Sequence, residues 1–528
     1  MTQHTPPPPG PAGPYGTLNP HGGAPAQSGP PSGPPSGPPT GPPRPGRRRG
    51  RVLLAAAAAL AVLGGGSWYA ATRDGGGHDD KPSAAPAHSA PASPASPASP
   101  AGPAATPPAG PDTAGAARIN AGRKPGDAKA LWVRRNDTDL PNKLVEVLGP
   151  WTVGDTIVTA AHRTVSAYSV SDGRLRWSLP LDRDLCRATP TVSADGRIAV
   201  VTRLDPGPKS ECRSLRMIDL RTGKQGWQRK IAQEGQWDAF TDYSLAITGD
   251  TVTAGRVSFS TAYRLSDGTQ LFRQTPGRCT AQAFAGGPAL IASLSCQDGT
   301  ADVPHEQVQE VDPVTGRARW TYDIKRGYHI DHVYSVRPLV VSLYDRANDK
   351  RAVLALTDKG ARRSALVGPD QYAPGCTAHS SDTNSLQNCR TVTDGRVFYM
   401  ATRASGSGPG AGNQVVGFDL DTGTVVRRIA APPGRLVMPL RMSGPDLLVE
   451  VLPAPTGTAR AGAVASAGPG ATTFRPLLRL PESSAKAHSR LDEPNAVYED
   501  GRYILVSANL VGDDAHERSS DMLMAFGP

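Results

Sequence analysis

Apolar and polar residues alternate in short runs through most of the chain after residue 128, and the runs come in pairs. AYSVSDGRLRWSL (Ala167 to Leu179), MIDLRTGKQGWQRKI (Met217 to Ile231) and AYRLSDGTQLFRQ (Ala262 to Gln274) share one design. EVDPVTGRARWTYDI (Glu310 to Ile324), VLALTDKGARRSALV (Val353 to Val367) and GFDLDTGTVVRRIA (Gly417 to Ala430) repeat it. Each is an apolar, β-branched or aromatic run, a polar turn closing on Gly, and a second run often carrying Trp. Alternation of this length predicts half-buried strands, and the intervening turn predicts a hairpin. In SDG, RTG, VTG and DTG the Gly falls where a short antiparallel turn needs positive φ. The Asp, Thr or Ser before it can hydrogen-bond the turn backbone. Asp-Gly pairs also occur in calcium and phosphate sites, but these recur without a ligand-like cluster, so turn chemistry accounts for them.

A second element precedes each hairpin and allows a count. VGDTIVTAA (Val153 to Ala161), ADGRIAVVTR (Ala194 to Arg203), TGDTVTAGR (Thr248 to Arg256) and GGPALIASL (Gly286 to Leu294) are its first four copies. VRPLVVSLY (Val336 to Tyr344), TDGRVFYMATR (Thr393 to Arg403), SGPDLLVEVL (Ser443 to Leu452) and EDGRYILVSA (Glu499 to Ala508) bring the number to eight. Six are followed by a clear hairpin, and the seventh by a weaker one turning at Gly468, Pro469 and Gly470. The eighth is followed by a single strand, MLMAFGP, whose missing partner matches ALWVRR (Ala130 to Arg135). Joining the two closes a ring, which removes exposed strand edges. The expected fold is all-β, an eight-bladed β-propeller with the N- and C-terminal strands sharing one blade. If the weak seventh hairpin is a loop, the count falls to seven.

The 528 residues divide unevenly around this array. Residues 1–50 are Pro/Gly-rich, including GPPSGPPSGPPTGPPRPG, a composition expected to be a disordered cytoplasmic tail with polyproline II character. Residues 51–73 hold VLLAAAAALAVLGGGSWYAAT, Val52 to Thr72, uncharged between Arg51 and Arg73. Such a stretch spans roughly 31 Å as a helix, the thickness of a bilayer core. Arg47, Arg48, Arg49 and Arg51 precede it, so the positive-inside rule predicts an uncleaved, single-pass anchor with a cytoplasmic N-terminus. A cleaved signal peptide is the rival, but its basic region would be unusually long. Residues 74–127 are Ala/Pro/Ser-rich and read as a linker reaching on the order of 100 Å, and 128–528 hold the repeats outside the cytoplasm.

The net charge of +10 is not one patch: Arg44, Arg47, Arg48, Arg49 and Arg51 lie in the tail with no acid, and the repeats mix both signs. No Lys/Arg stripe interleaves with aromatics, so nucleic-acid binding is not expected.

The strand runs AYSVSDGRLRWSL and EVDPVTGRARWTYDI, with Trp177, Trp227 and Trp320 in their second strands, resemble the pyrroloquinoline-quinone-like (PQQ-like) β-propeller repeat superfamily over roughly Ala130 to Pro528. The resemblance implies a propeller in which these Trp pack between neighbouring blades. It is weak for function, because the superfamily includes quinone dehydrogenases, a lipoprotein of the outer-membrane barrel assembly machinery and ectodomains of signalling proteins. The chain departs from the dehydrogenases in having no adjacent Cys pair and no Cys-x-x-Cys-His haem motif. It departs from the lipoprotein in having no Cys after the apolar segment; its first is Cys186.

Six cysteines follow the anchor: Cys186, Cys212, Cys279, Cys296, Cys376 and Cys389. An even number in an exported domain suggests disulfides, though fifteen pairings are open to six cysteines. Neighbour pairing, Cys186–Cys212, Cys279–Cys296 and Cys376–Cys389, is the economical choice, each closing a loop worth about 3 to 4 kcal/mol. Cys376, His379 and Cys389 as metal ligands are the alternative for the last pair. His329, Asp331 and His332 form the densest His/carboxylate cluster, and Asp513, Asp514, His516 and Glu517 offer oxygens that could hold calcium. Both read as solvated loops, and no catalytic residue, metal site or phosphate loop is assigned.

The expected role is a non-enzymatic, membrane-anchored scaffold at the cell membrane binding an unknown envelope protein or ligand. The alternatives are an oxidoreductase using pyrroloquinoline quinone, calcium or another metal in the channel, and a sensor relaying a signal to the tail.

Overall fold

The repeated turns share one glycine conformation. The turn glycines Gly173, Gly223, Gly268, Gly316, Gly360 and Gly423 all have φ between 68° and 76°. In three of the turns the Asp four residues earlier accepts two backbone N–H groups: Asp219 from Arg221 and Thr222, Asp312 from Val314 and Thr315, and Asp419 from Asp421 and Thr422. These carboxylates are occupied in closing turns, and the backbone donors hold Asp312 down to about 2.

The computed structural model describes residues 110–528, except 208, 234–237, 239–242, 258, 276, 298–304, 369–371, 377–384, 407–409 and 455–459. The tail, the apolar stretch Val52 to Thr72 and most of the 74–127 stretch lie outside the described residues. Among the described residues no helix is long and apolar enough to cross a membrane.

The strands form eight antiparallel sheets. Blades 1 to 7 run Leu144–Pro180, Leu185–Lys230, Ser244–Gln274, Cys279–Asp323, His329–Ala365, Val392–Ala430 and Val437–Arg479, each laid down as four strands in chain order. The weak seventh hairpin is therefore real, its strands Ala463–Ala467 and Arg475–Arg479 pairing across Gly470. Blade 8 takes Asn495–Glu499, Arg502–Val506 and Asp521–Gly527 from the C-terminal end and Lys129–Arg135 as its outer strand. Trp132 there pairs with Ala525, closing the ring between the two ends of the described chain. The five-stranded sheet is blade 1, to which Asn509–Val511 adds a strand against Leu144–Glu146.

The core is not one mass but a wall between each pair of blades. Trp132, Ile157, Tyr168 and Ile504 fill the wall between blades 8 and 1, and Val158, Val165, Ile198 and Ile218 that between blades 1 and 2. At five of the joints an outer-strand aromatic lies on the turn glycine of the next blade. A Cβ on Gly173 would meet the Trp132 ring at 2.5 Å, one on Gly223 the Trp177 ring at 2.5 Å, and one on Gly268 the Trp227 ring at 2.6 Å. Phe272 covers Gly316 and Trp320 covers Gly360 in the same way. The Trp132 and Trp227 indole N–H groups also donate to Val170 and Leu265 carbonyls in those turns, at 3.0 and 2.7 Å. Glycine is required here for its φ and for the missing Cβ together.

One feature departs from the sequence expectation. Asp112 caps a helix, α1 (Thr113–Ala121), within the 74–127 stretch read as linker, accepting from Gly115 N–H at 2.8 Å. Ala116 and Ile119 bury against Leu478, Leu480 and Ala487. Nine residues with two buried apolar positions carry too little periodicity to be recognised without the surface they pack on.

Candidate functional site

The first strands of successive blades approach one another, as strands nearest an axis do. The long connection between blades 5 and 6 joins them in the ring's interior. Its Leu386 is buried in the wall between blades 4 and 5, and its carbonyl accepts the Val333 N–H at 2.9 Å. Gln387 forms a two-point bond with the Gly286 backbone of blade 4, at 2.7 and 2.9 Å. Thr391 Oγ1 donates to the Tyr334 carbonyl of blade 5 at 3.0 Å. Arg390 reaches the other way, donating to the Pro494 carbonyl ahead of blade 8 at 3.1 Å and pairing with Glu450 of blade 7. The segment thus touches four blades or their connections, and Cys376–Cys389 joins its two ends.

What remains of the interior is a cavity of about 360 Å³. It lies between this segment (Ser385 and Gln387 to Arg390) and the first strands of blades 1, 2, 3 and 8. Some of its polar groups are paired, while the buried Tyr243 hydroxyl has no hydrogen-bond partner among the described residues. Arg187 pairs with Glu146 at 3.2 Å, and the Trp151 indole donates to the Thr189 carbonyl at 3.0 Å. Burial pushes the Tyr243 hydroxyl up to about 12, although the Arg256 guanidinium lies 3.9 Å from its ring centroid and opposes the shift.

Beside Arg390, Glu450 is 1% exposed and accepts the Tyr503 hydroxyl at 2.5 Å. Burial, then the Glu450 charge, raises the Tyr503 pKa well above the phenol value. Nearby His488 is held below the usual imidazole value by burial, with Glu450 pulling weakly the other way. Glu450 accepts from a cation on one oxygen and a phenol on the other, an arrangement that locks the segment to blades 7 and 8 rather than leaving a base free. Arg390 and Glu450 were not singled out from sequence. The available signal was a carboxylate inside the apolar run DLLVEVL.

Residues 125–275 match the family profile described as "Outer membrane protein assembly factor BamB". With the repeated hairpins and the eight sheets, this match supports the resemblance to the PQQ-like β-propeller superfamily. No curated protein matches it. Among solved structures it is similar to BamB from Moraxella catarrhalis, at 14% identity and a TM-score of 0.37, covering 74% of this chain and 97% of that one. It is also similar to the dihydro-heme d1 dehydrogenase NirN, at 14% identity and a TM-score of 0.31, covering 67% of this chain and 78% of that one.

In this propeller the cysteines are joined as Cys186–Cys212, Cys279–Cys296 and Cys376–Cys389. The first closes across strands of blade 2 and the second across strands of blade 4. The His329, Asp331 and His332 cluster divides. His329 Nδ1 faces Glu306 of blade 4 at 2.9 Å, while His332 turns toward Cys376 and Cys389. His379 lies outside the described residues. Asp513, Asp514, His516 and Glu517 do not converge either. Asp513 pairs with His516 at 2.9 Å, which holds its carboxyl below the usual range, whereas buried Glu517 accepts the Leu140 N–H at 3.1 Å.

Proposed function

We propose that this propeller is a membrane-anchored, extracytoplasmic scaffold that binds a protein partner and performs no chemistry of its own. The observation that carries this reading is the occupant of the ring's interior. Where the superfamily resemblance would place a quinone, the chain's own segment from Ser385 to Thr391 is tied to blades 4, 5 and 7. The faces of the ring are then the surfaces open to a partner. On blade 1, Leu144 and Val511 stand directly opposite each other at 59% and 58% exposure. An exposed cross-strand apolar pair on an added edge strand suits a protein contact. Similarity to a profile named for an assembly factor supports the same class of partner. The uncharged stretch from Val52 to Thr72 after four arginines supports the anchor and the cytoplasmic N-terminus, with the partner in the envelope.

A photocrosslinker at Leu144 or Val511 in intact cells tests this. The expected result is a discrete protein adduct that disappears when the other member of the pair becomes Asp. No adduct, or saturable binding of pyrroloquinoline quinone with calcium accompanied by dye-linked oxidation of an alcohol or sugar, refutes the scaffold.

A further inference from the structure

The Cys376–Cys389 disulfide has an unexpected neighbour. A ring nitrogen of His332 and the two sulfurs all lie within 4.8 Å of one another. Two donors bound to one zinc-class ion at about 2.3 Å each lie no more than about 4.6 Å apart, so the three need only small side-chain rotations to share an ion. His332 also has a carboxylate beside it. Its Nδ1 is 3.2 Å from Asp331 Oδ2, and the same carboxylate oxygen is held by Arg351 at 2.8 Å. That nitrogen is buried and makes no hydrogen bond among the described residues, and a small ring rotation would let the carboxylate support it from the outer shell, as metal-bound histidines are supported. The site borders a cavity of about 350 Å³, lined by Asp331, His332, Tyr334, Arg351 and Cys376 among others. Three protein ligands would leave the fourth tetrahedral position facing that space.

We infer that Cys376, Cys389 and His332 form a redox-gated site for a thiophilic divalent cation of the zinc class, and that the disulfide is its closed, metal-free state. Opening requires two electrons and two protons from a dithiol reductant, which becomes a disulfide as Cys376 and Cys389 become thiols. Binding one M²⁺ then releases those two protons, since thiolates are the ligands. His332 binds as neutral imidazole. The inference uses the same connection between blades 5 and 6 that supports the scaffold reading, but it does not require it: cobalt binding tests the site, and crosslinking at Leu144 or Val511 tests the scaffold.

The test uses the full chain with cobalt(II) as the probe. After mild phosphine reduction, one cobalt per chain with thiolate-to-cobalt charge-transfer absorption is expected, together with protection of Cys376 and Cys389 from alkylation read by mass spectrometry. The oxidised chain is expected to bind no cobalt and show no absorption, its Cys376 and Cys389 resisting alkylation with or without cobalt because they are joined to each other. The double variant Cys376→Ser, Cys389→Ser is expected to lose the absorption while keeping its far-ultraviolet circular dichroism. Asp331→Asn is expected to weaken cobalt binding about 10- to 100-fold. No absorption in the reduced chain overturns the inference, whether or not the fold survives. So do absorption retained in the double serine variant, which assigns the metal to the other four cysteines, and unchanged affinity in both Asp331→Asn and His332→Ala.

Discussion

Replacing Gly223 with Ala perturbs the joint between blades 1 and 2 in two separable ways. Gly223 has φ +69°, so any side chain there incurs the left-handed penalty, about 1 to 2 kcal/mol. Its new Cβ would also stand 2.5 Å from Trp177 Cδ2 and 2.6 Å from Cε3. These are atoms at the centre of the indole and not its flexible tip, so the ring must leave the turn or the blades must part. Overpacking of this kind costs about 1 to 3 kcal/mol, giving roughly 2 to 5 kcal/mol in total. Gly470 is the matched control, with φ +76° in the equivalent turn of blade 7 and nothing within 4 Å of a built Cβ. Gly470→Ala therefore bears the backbone term alone. Guanidinium unfolding followed by far-ultraviolet circular dichroism measures both, and Gly223→Ala is expected to cost about 1 to 3 kcal/mol more. In a Trp177→Ala background that excess is expected to vanish, because the clash has no partner. Equal costs at the two glycines, or an excess that persists without Trp177, would refute the docking of aromatics on turn glycines as the link between blades.

Three further outcomes follow from the interior. Glu450→Ala removes the acceptor of both Arg390 and Tyr503 and is expected to destabilise by about 3 kcal/mol, the low end for a broken buried pair because Arg390 keeps some solvent contact; chemical denaturation measures it. His488 is neutral in the fold because burial lowers its pKa below 6.5, while the unfolded chain takes the proton near 6.5. Its contribution is thus present above pH 6.5 and lost as pH falls through that value toward the folded pKa. Unfolding free energies measured between pH 7.5 and pH 5 are expected to fall less in His488→Gln than in the parent protein. Removing Cys279–Cys296 by a double Ser substitution frees a 17-residue separation across adjacent strands of blade 4 and is expected to cost about 3 kcal/mol, read as a lower unfolding midpoint.

The alternation of AYSVSDGRLRWSL and its copies, the Gly at each turn and the unpaired strands at Ala130 and Met522 determined the blades and the closure of the ring, while the pairing of the weak seventh hairpin decided eight over seven. These are short-range instructions: a two-residue period and a positive φ mean the same thing wherever they occur. The partners across blades are another matter. Trp177 meets Gly223, Gln387 meets Gly286, and Arg390 meets Glu450 because radial packing sets residues 40 to 100 positions apart against one another. No periodicity encodes those distances. His329 and His332 look like one cluster in the sequence, yet one faces Glu306 of the neighbouring blade and the other a disulfide. The connection from Leu366 to Thr391 shows the same division. Its cysteines were legible, but only the ring around it decided where its Ser385 to Thr391 stretch would lie, with Leu386 on apolar surface and Arg390 against a buried carboxylate.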